Sequence, residues 1–252
     1  MSQRESPFDA RRCVKRLTSA AEEQAWNQAQ LTQPLQHPMI RAWLPSEPAI
    51  VFGCSQRLIY EEALEKAPPA TTLLIRRAGG GAVLSGPWML SLSVLLPTSC
   101  ALIDLGLLGL FKWLAEHHVA ALRQFGIPAI AASPTEPVPL VTDPALKWAC
   151  FANLGPWEIV AHGRKLAGLA QFHSRNGILL SSGILLEQPD WQLMSTPLGY
   201  SPEAADALQK RTVGCDAYCA DSALGEHLAA LLADRIASDP RIYAKQPVEN
   251  AA

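Results

Sequence analysis

The sequence has 252 residues, of which 49% are hydrophobic and 17% are charged, and its formal net charge is −2. This composition is typical of a globular chain and argues against a disordered or fibrous protein. The near-neutral charge gives no general attraction to nucleic acid or to an anionic membrane surface, so neither is expected as a partner.

The cysteines and the apolar segments indicate the compartment. Six cysteines are spread along the chain, without the dense spacing of a small disulfide-stapled domain. The first residues lack the apolar stretch of a signal peptide. The longest apolar region, residues 101–125, is interrupted by charged side chains, which makes a bilayer span costly. We therefore expect a cytoplasmic protein with free thiols.

The predicted elements alternate between short strands and helices. In the first half of the chain, helices are predicted over residues 18–31 and 102–125, and strands over 39–44, 49–53, 72–76 and 90–96. Residues 131–147, rich in Ala, Pro and Thr, are predicted to form a surface connection. Strands then recur over 148–152, 157–161, 164–167 and 178–186, followed by short helices over 189–195, 202–209 and 221–237.

This order of elements predicts the fold class. The strands occur in hairpin-like groups, and residues 148–186 contain no predicted helix, so regular βαβ alternation is absent. The pattern favours an α+β fold with a mixed, largely antiparallel sheet flanked by helices. A single domain is expected over residues 16–238, with loose termini at 1–15 and 239–252.

The segment R-R-A-G-G-G-A-V, residues 76–83, is called the glycine loop below. Three consecutive glycines are entropically expensive, which indicates a backbone geometry that side chains would forbid. The loop either approaches a ligand closely, with two arginines beside it, or is a flexible turn. Its spacing matches neither G-x-G-x-x-G nor a P-loop, so dinucleotide-binding and phosphate-binding loops are not indicated.

Cys150 and Lys165 form a second candidate site. Taken singly, Cys150 is typical of a small buried apolar residue and Lys165 of a solvated turn lysine. Only a short, turn-containing segment separates them, which can bring thiol and ammonium into one cleft. A nearby cation favours the thiolate, the nucleophilic form of cysteine. Lysine can also donate to a carbonyl oxygen that gains negative charge during acyl transfer.

Both segments resemble the biotin/lipoate ligase superfamily. The glycine loop is similar to the family's arginine–glycine signature, and C-F-A-N-L-G-P-W-E-I-V-A-H-G-R-K-L-A-G-L-A-Q, residues 150–171, resembles the cysteine-dependent octanoyltransferases. The resemblance implies a catalytic domain of the class II synthetase-like type. It also implies transfer of octanoate from acyl carrier protein, through an acyl-enzyme, to a lysine of a lipoyl domain or of the glycine-cleavage H protein.

The resemblance assigns roles by position. Cys150 becomes the nucleophile and Lys165 the residue that orients the acyl carbonyl. The acyl-site residues that it implies are Arg76, Arg77, Gly79, Gly80, Gly81, Ala82, Val83, Gly168, Leu169, Ala170 and Gln171. The transferase needs no cofactor. Related lipoate ligases need ATP and magnesium and typically carry an Asn-Asp pair ahead of the lysine, which we do not find here.

Several positions depart from the family pattern. Leu169 replaces a smaller residue, which can reshape the acyl pocket, and Cys54 stands where arginine is usual. Ser85 and the Ser181-Ser182 pair replace frequent histidines. Two alternatives therefore stay open: an ATP-dependent lipoate–protein ligase that forms an acyl-adenylate, and a non-catalytic acyl-binding homologue.

The remaining polar motifs carry weaker signals. His173 is a possible acid/base group because it lies near the predicted acyl-site strand. His117 and His118 are expected on a solvated helix face. Cys215 and Cys219 lack a second Cys/His pair, so no metal site is predicted.

Overall fold

The structure is a computed structural model that describes residues 14–135 and 143–243. Its strands form two sheets. A seven-stranded sheet has the order β1-β2-β6-β10-β9-β8-β7, and a three-stranded sheet has the order β4-β3-β5. The strands are β1 Val14–Thr18, β2 Met39–Pro45, β3 Ala49–Phe52, β4 Leu73–Ile75, β5 Val83–Ser85, β6 Met89–Leu96, β7 Ala129–Ala131, β8 Ile159–Ala161, β9 Arg164–Ser174 and β10 Gly177–Leu185.

Pairing in the large sheet is mostly antiparallel, and pairing in the small sheet is mixed. In the large sheet only β1 and β2 run parallel, and in the small sheet β3 is parallel to β4 and antiparallel to β5. The central strand β6 is buried along its whole length, which fits its apolar sequence. The predicted α+β fold with a mixed, largely antiparallel sheet is therefore confirmed.

Helices cover the sheets. They are α1 Ala20–Gln30, α2 Arg57–Lys66, α3 Gly106–Gln124, α4 Gln192–Ser195, α5 Pro202–Arg211 and α6 Leu224–Ala237. α1 begins two residues after the predicted start at residue 18, because Ser19 and Glu22 form a reciprocal capping box. None of the helices in the described ranges is long and apolar enough to cross a membrane.

Two hydrophobic clusters hold these layers together. The larger one lies between the seven-stranded sheet and helices α3 and α6, with Leu92, Trp113 and Leu228 among its fully buried members. The second joins the small sheet to the later chain through residues such as Phe52 and Phe151. The space between the two sheets is where the predicted site residues meet.

Several predictions of local structure were wrong. Residues 148–152 are not a strand: Ala149 makes one isolated bridge, and Cys150–Ala152 is a 3₁₀ turn. α2 was not predicted, although its sequence is rich in helix-forming Glu, Leu and Ala. Residues 131–147 are not wholly a connection, because Pro144–Leu146 forms a 3₁₀ turn; residues 136–142 lie outside the described part.

The expected loose termini are partly ordered. Residues 14 and 15 pair with β2 as the start of β1. At the other end, Pro240–Ile242 forms a 3₁₀ turn with Ile242 buried in the core. Asp239 and Tyr243 flank that turn, while residues 1–13 and 244–252 lie outside the described ranges.

The two histidines of α3 do not form a solvated face. His118 is fully buried, and its pKa is lowered to about 4, first of all because burial disfavours the charged ring. The His117 side chain is 12% exposed and contacts Asp239 at 3.2 Å. A polar residue on an amphipathic helix is ordinarily expected on the solvent-facing side. Here other elements pack against more than one face of α3, so His118 is buried and His117 is mostly buried.

Candidate functional site

The glycine loop packs backbone against backbone. It connects β4 to β5, and Gly80 lies in the left-handed region with φ +95°. A Cβ atom on Gly53 would lie 2.0 Å from the Gly80 carbonyl oxygen. A Cβ atom on Gly81 would lie 2.7 Å from the Cys150 nitrogen. The glycines are needed here because no side chain fits between these segments.

Arg76 shapes the same loop from inside. Its guanidinium is buried and donates to the carbonyl oxygens of Val51, Gly79 and Gly81 at 2.8–2.9 Å. It therefore ties the two ends of the glycine run to strand β3. In this structure Arg76 acts on the loop's backbone as well as lining the cavity described below.

The 3₁₀ turn Cys150–Ala152, called the cysteine turn below, is fastened to the glycine loop. The Cys150 amide donates to the Ala82 carbonyl at 2.9 Å, and the Ala82 amide donates to the Trp148 carbonyl at 2.7 Å. Gln56 adds a buried side-chain bond to that same Trp148 carbonyl at 2.8 Å. The Cys150 side chain is half-buried, and its sulfur lies 3.9 Å from where a Cβ of Gly80 would be.

Lys165 lies beneath the cysteine turn and is fully buried. Its ammonium donates to the carbonyl oxygens of Cys150 at 2.7 Å and Asn153 at 2.9 Å, and to Glu158 Oε2 at 2.6 Å. An ammonium has three protons, so each is used. As predicted, Cys150 and Lys165 lie next to each other, and the contact is between the Lys165 ammonium and the backbone carbonyl of Cys150.

Two concave surfaces meet at the cysteine turn. An inner cavity between the sheets is lined by apolar residues that include Val51, Ala78, Val83, Met89 and Leu179. An outer groove runs along the glycine loop, residues 153–156 and the first turn of α3. Cys150, Leu169 and Ala170 line both. A thiol at this junction can reach a group held inside and a partner that approaches from outside.

One wall of the inner cavity is polar. Glu23 and Asn27 lie one turn apart on the buried face of α1 and line the cavity with Ser91. Burial is the main cause that raises the pKa of Glu23 to about 7, opposed by a hydrogen bond from Ser91 and by the charge of Arg76. A carboxyl that is readily neutral near pH 7 is compatible with an otherwise apolar cavity.

Most of the predicted site residues come together. Those lining the inner cavity, the outer groove or both are Arg76, Gly79, Gly80, Gly81, Val83, Cys150, Lys165, Gly168, Leu169, Ala170 and Gln171. Ala82 is buried and fastens the cysteine turn. Arg77 and His173 are exposed and line neither surface; Arg77 lies 5.5 Å from the Phe172 ring, and His173 contacts Gln171 at 2.6 Å.

The positions that depart from the family pattern have distinct environments. Leu169 packs into the main core, while Ser182 contacts His118 Nε2 at 2.7 Å. The ring's Nδ1 faces the Leu114 carbonyl at 2.8 Å and must donate there, so Nε2 accepts from Ser182. Cys54 is an exposed free thiol.

Neither buried carboxylate of the site was identified from the sequence. Glu158 lies in the apolar run W-E-I-V, seven residues before Lys165. A charged residue within an apolar run could have indicated a buried carboxylate paired with this lysine. Glu23 lies in an apparently ordinary helix, where period alone suggests a solvent-facing side chain. Among the residues that the structure describes, no group of three or more His, Cys, Asp or Glu could hold a metal ion.

Comparison with known proteins assigns the family. The model of the lipoyl protein ligase A/B catalytic domain matches residues 18–214. The chain belongs to this family. The match includes the glycine loop, the cysteine turn and Lys165, so the resemblance of the two segments extends over most of the domain.

Curated relatives agree with this family. The chain is 28% identical over 171 residues to an octanoyltransferase LipM of Symbiobacterium thermophilum, covering 66% of this chain and 61% of the relative. It is 27% identical over 179 residues to an octanoyltransferase LipM of Macrococcus caseolyticus, covering 69% and 63%. The alignments thus span about three fifths of each relative's length.

The fold is shared with a bipartite lipoate protein ligase of Thermoplasma acidophilum, solved in a study of that ligase and its E2 lipoyl domain. The TM-score is 0.59 at 16% identity, with 89% of this chain and 81% of that chain covered. At this identity the similarity establishes the fold alone.

Proposed function

We propose that this chain transfers an octanoyl group from acyl carrier protein to a lysine of a lipoyl-domain protein or of the glycine-cleavage H protein, through a Cys150 acyl-enzyme. The observation that carries the proposal is the position of Cys150 at the junction of the inner cavity and the outer groove. The names of the two relatives support octanoyl transfer, and the lipoyl domain studied with the T. acidophilum ligase supports the class of acceptor.

In the first half-reaction the Cys150 thiolate attacks the carbonyl carbon of the carrier thioester. A carbon–sulfur bond forms to Cys150 and the bond to the carrier sulfur breaks. The carrier leaves as a thiol, with the proton that Cys150 gave up. One thioester replaces another, so the step needs no external energy source and no ATP. The alkyl chain enters the inner cavity, whose apolar lining favours its burial.

In the second half-reaction the neutral amine of the acceptor lysine attacks the acyl-enzyme carbonyl from the outer groove. An amide bond forms, the bond from the acyl carbon to the Cys150 sulfur breaks, and the proton lost by the amine passes to that sulfur, which restores the thiol. Lys165 acts by exchanging one of its two backbone carbonyl partners for the acyl oxygen as negative charge develops there.

A transfer assay tests this function. Purified protein is incubated with octanoyl-carrier protein and a lipoyl domain, without ATP, and the domain is weighed by mass spectrometry. We expect octanoylation of the domain. Lipoylation that appears only with free lipoate, ATP and magnesium would instead support an ATP-dependent lipoate–protein ligase. No transfer under either condition would support an acyl-binding homologue.

A further inference from the structure

Glu158 has more contacts in the site than its position in the apolar run just before strand β8 suggests. The residue is 5% exposed, and both of its carboxylate oxygens accept hydrogen bonds. Oε2 accepts from Lys165 Nζ and from the Gly155 amide, each at 2.6 Å, and Oε1 accepts from the Leu169 amide at 3.3 Å. A buried carboxylate is costly unless it is satisfied in this way.

These contacts connect the structural parts that surround the thiol. Gly155 belongs to the wall of the outer groove, and Leu169 lines both the groove and the inner cavity. Lys165 in turn holds the carbonyl oxygens of Cys150 and Asn153, at the start of the cysteine turn and just beyond it. Glu158 supplies the only negative charge among the three partners of the ammonium.

We propose that Glu158 is a positioning residue for acyl transfer, acting through Lys165. It fixes one proton of the ammonium and thereby aims the other two at the backbone of residues 150–153. When the acyl carbonyl oxygen arrives, Lys165 exchanges a backbone carbonyl for it while Glu158 keeps the nitrogen in place. This role rests on the function proposed above.

Glu158→Gln separates this role from simple packing. Glutamine has nearly the same shape, but its amide has one oxygen and one NH₂ group, and Glu158 accepts from donors on both of its oxygens. The NH₂ group therefore faces a donor. We expect the kcat of octanoyl transfer to fall about a hundredfold, as for a misplaced catalytic group, with KM little changed. Glu158→Asp keeps the charge and should recover part of the rate.

Dependence on Lys165 is tested in a double-mutant cycle. If Glu158 acts through the ammonium, Glu158→Gln should have less than about a threefold further effect in a Lys165→Met background. If the two substitutions lower the transfer rate independently, so that their fold-changes multiply in the double variant, the proposal is contradicted. The matched control is Glu61→Gln, which removes the carboxylate of an exposed pair with Arg57 at 3.0 Å and should leave transfer unchanged.

Iodoacetamide labelling gives a readout that needs no substrate. In Glu158→Gln the ammonium loses its counter-charge and the cysteine turn loses a tether. The uncompensated positive charge beside the turn then stabilises the negative sulfur in the transition state of alkylation, and the loosened turn exposes it. Alkylation of Cys150 should therefore become faster by about fivefold or more. Exposed Cys54 is the internal reference, and buried Cys100 reports unfolding if it also reacts.

The expected result is slower transfer with faster alkylation of Cys150, while Cys54 and Cys100 keep their rates. A Glu158→Gln variant with wild-type transfer and wild-type alkylation would overturn the positioning role. If the wild type shows no transfer, the proposed function is contradicted. The rate of Cys150 alkylation in Glu158→Gln then still tests whether Glu158 positions Lys165. Increased labelling of Cys100 together with Cys150 would identify a merely structural role and also overturn the proposal.

Discussion

The glycine loop and the cysteine turn lie against each other but are held by opposite means. The loop depends on missing side chains, because Gly81, and Gly53 opposite Gly80, allow backbone atoms to meet with no room for a Cβ. The cysteine turn depends on buried charge, with Lys165 bound to Cys150, Asn153 and Glu158. The first arrangement provides shape, while the second places an ammonium beside the residue that carries the thiol. This difference separates the loop, which fixes the form of the site, from the turn, which carries its chemistry.

The largest effect on the loop is expected from Gly53→Ala. The new Cβ would lie 2.0 Å from the Gly80 carbonyl oxygen, a backbone atom that cannot move without displacing the loop. We expect a loss of roughly 3 kcal/mol in the free energy of unfolding, measured by urea denaturation, and a matching loss of acyl transfer.

Gly79→Ala is the matched control, because a Cβ on Gly79 meets no atom within 4 Å. Similar free energies of unfolding for Gly53→Ala and Gly79→Ala would mean that the close packing of the loop does not contribute to stability. The contrast drawn above between the glycine loop and the cysteine turn would then be wrong.

Arg76→Met should have the next largest effect. The change removes the bonds that the guanidinium donates to the carbonyl oxygens of Val51, Gly79 and Gly81. We expect about 2 kcal/mol of destabilisation, seen in the same denaturation experiment. Arg77→Met is the control, since that side chain is exposed and its one contact among the described residues is with the Phe172 ring; the change should cost less than about 1 kcal/mol.

The smallest effect concerns the polar wall of the inner cavity. The pKa of Glu23 is raised from 4.5 to about 7 in the folded protein. The folded state therefore binds more protons at Glu23 than the unfolded state in this range, so the stability that Glu23 contributes is fully present below about pH 4.5 and is lost as the pH rises through 7. We expect the wild type to lose roughly 1–2 kcal/mol more than Glu23→Gln between pH 5 and pH 8.

The measurement is the pH dependence of unfolding by urea. Glu65→Gln, at an exposed position on α2, should keep the wild-type slope. A Glu23→Gln variant with the same slope as the wild type would show that Glu23 is ionised without penalty and that the cavity wall is effectively solvated.

The sequence predicted the fold better than the environment of the site. Strand β6 and helix α3 follow from apolar periodicity, and the capping box of α1 is a local pattern. The cysteine turn was mistaken for a strand, because its apolar residues are buried by tertiary contact with the glycine loop and carry no period of their own.

The site residues likewise fall into those that the sequence predicted and those that it did not. Cys150, Lys165 and the glycines came from a motif resemblance, and the structure brings them together. Glu158 and Glu23 were missed for different reasons. The partner of Glu158, Lys165, is only seven residues away, and the charge within an apolar run was not used. The partners of Glu23 are distant in the sequence. His118 was misplaced for the same reason, since its neighbour Ser182 is 64 residues away.

The central claim is the covalent acyl-enzyme at Cys150, and intact-mass analysis tests it most directly. Wild type and Cys150→Ala are each incubated with octanoyl-carrier protein, then weighed and mapped by peptide. We predict one added octanoyl group on wild type at Cys150, its loss when a lipoyl domain is added, and an unmodified Cys150→Ala. An unmodified wild type, or an octanoyl group that persists on Cys150→Ala at another residue such as exposed Cys54, would contradict the account.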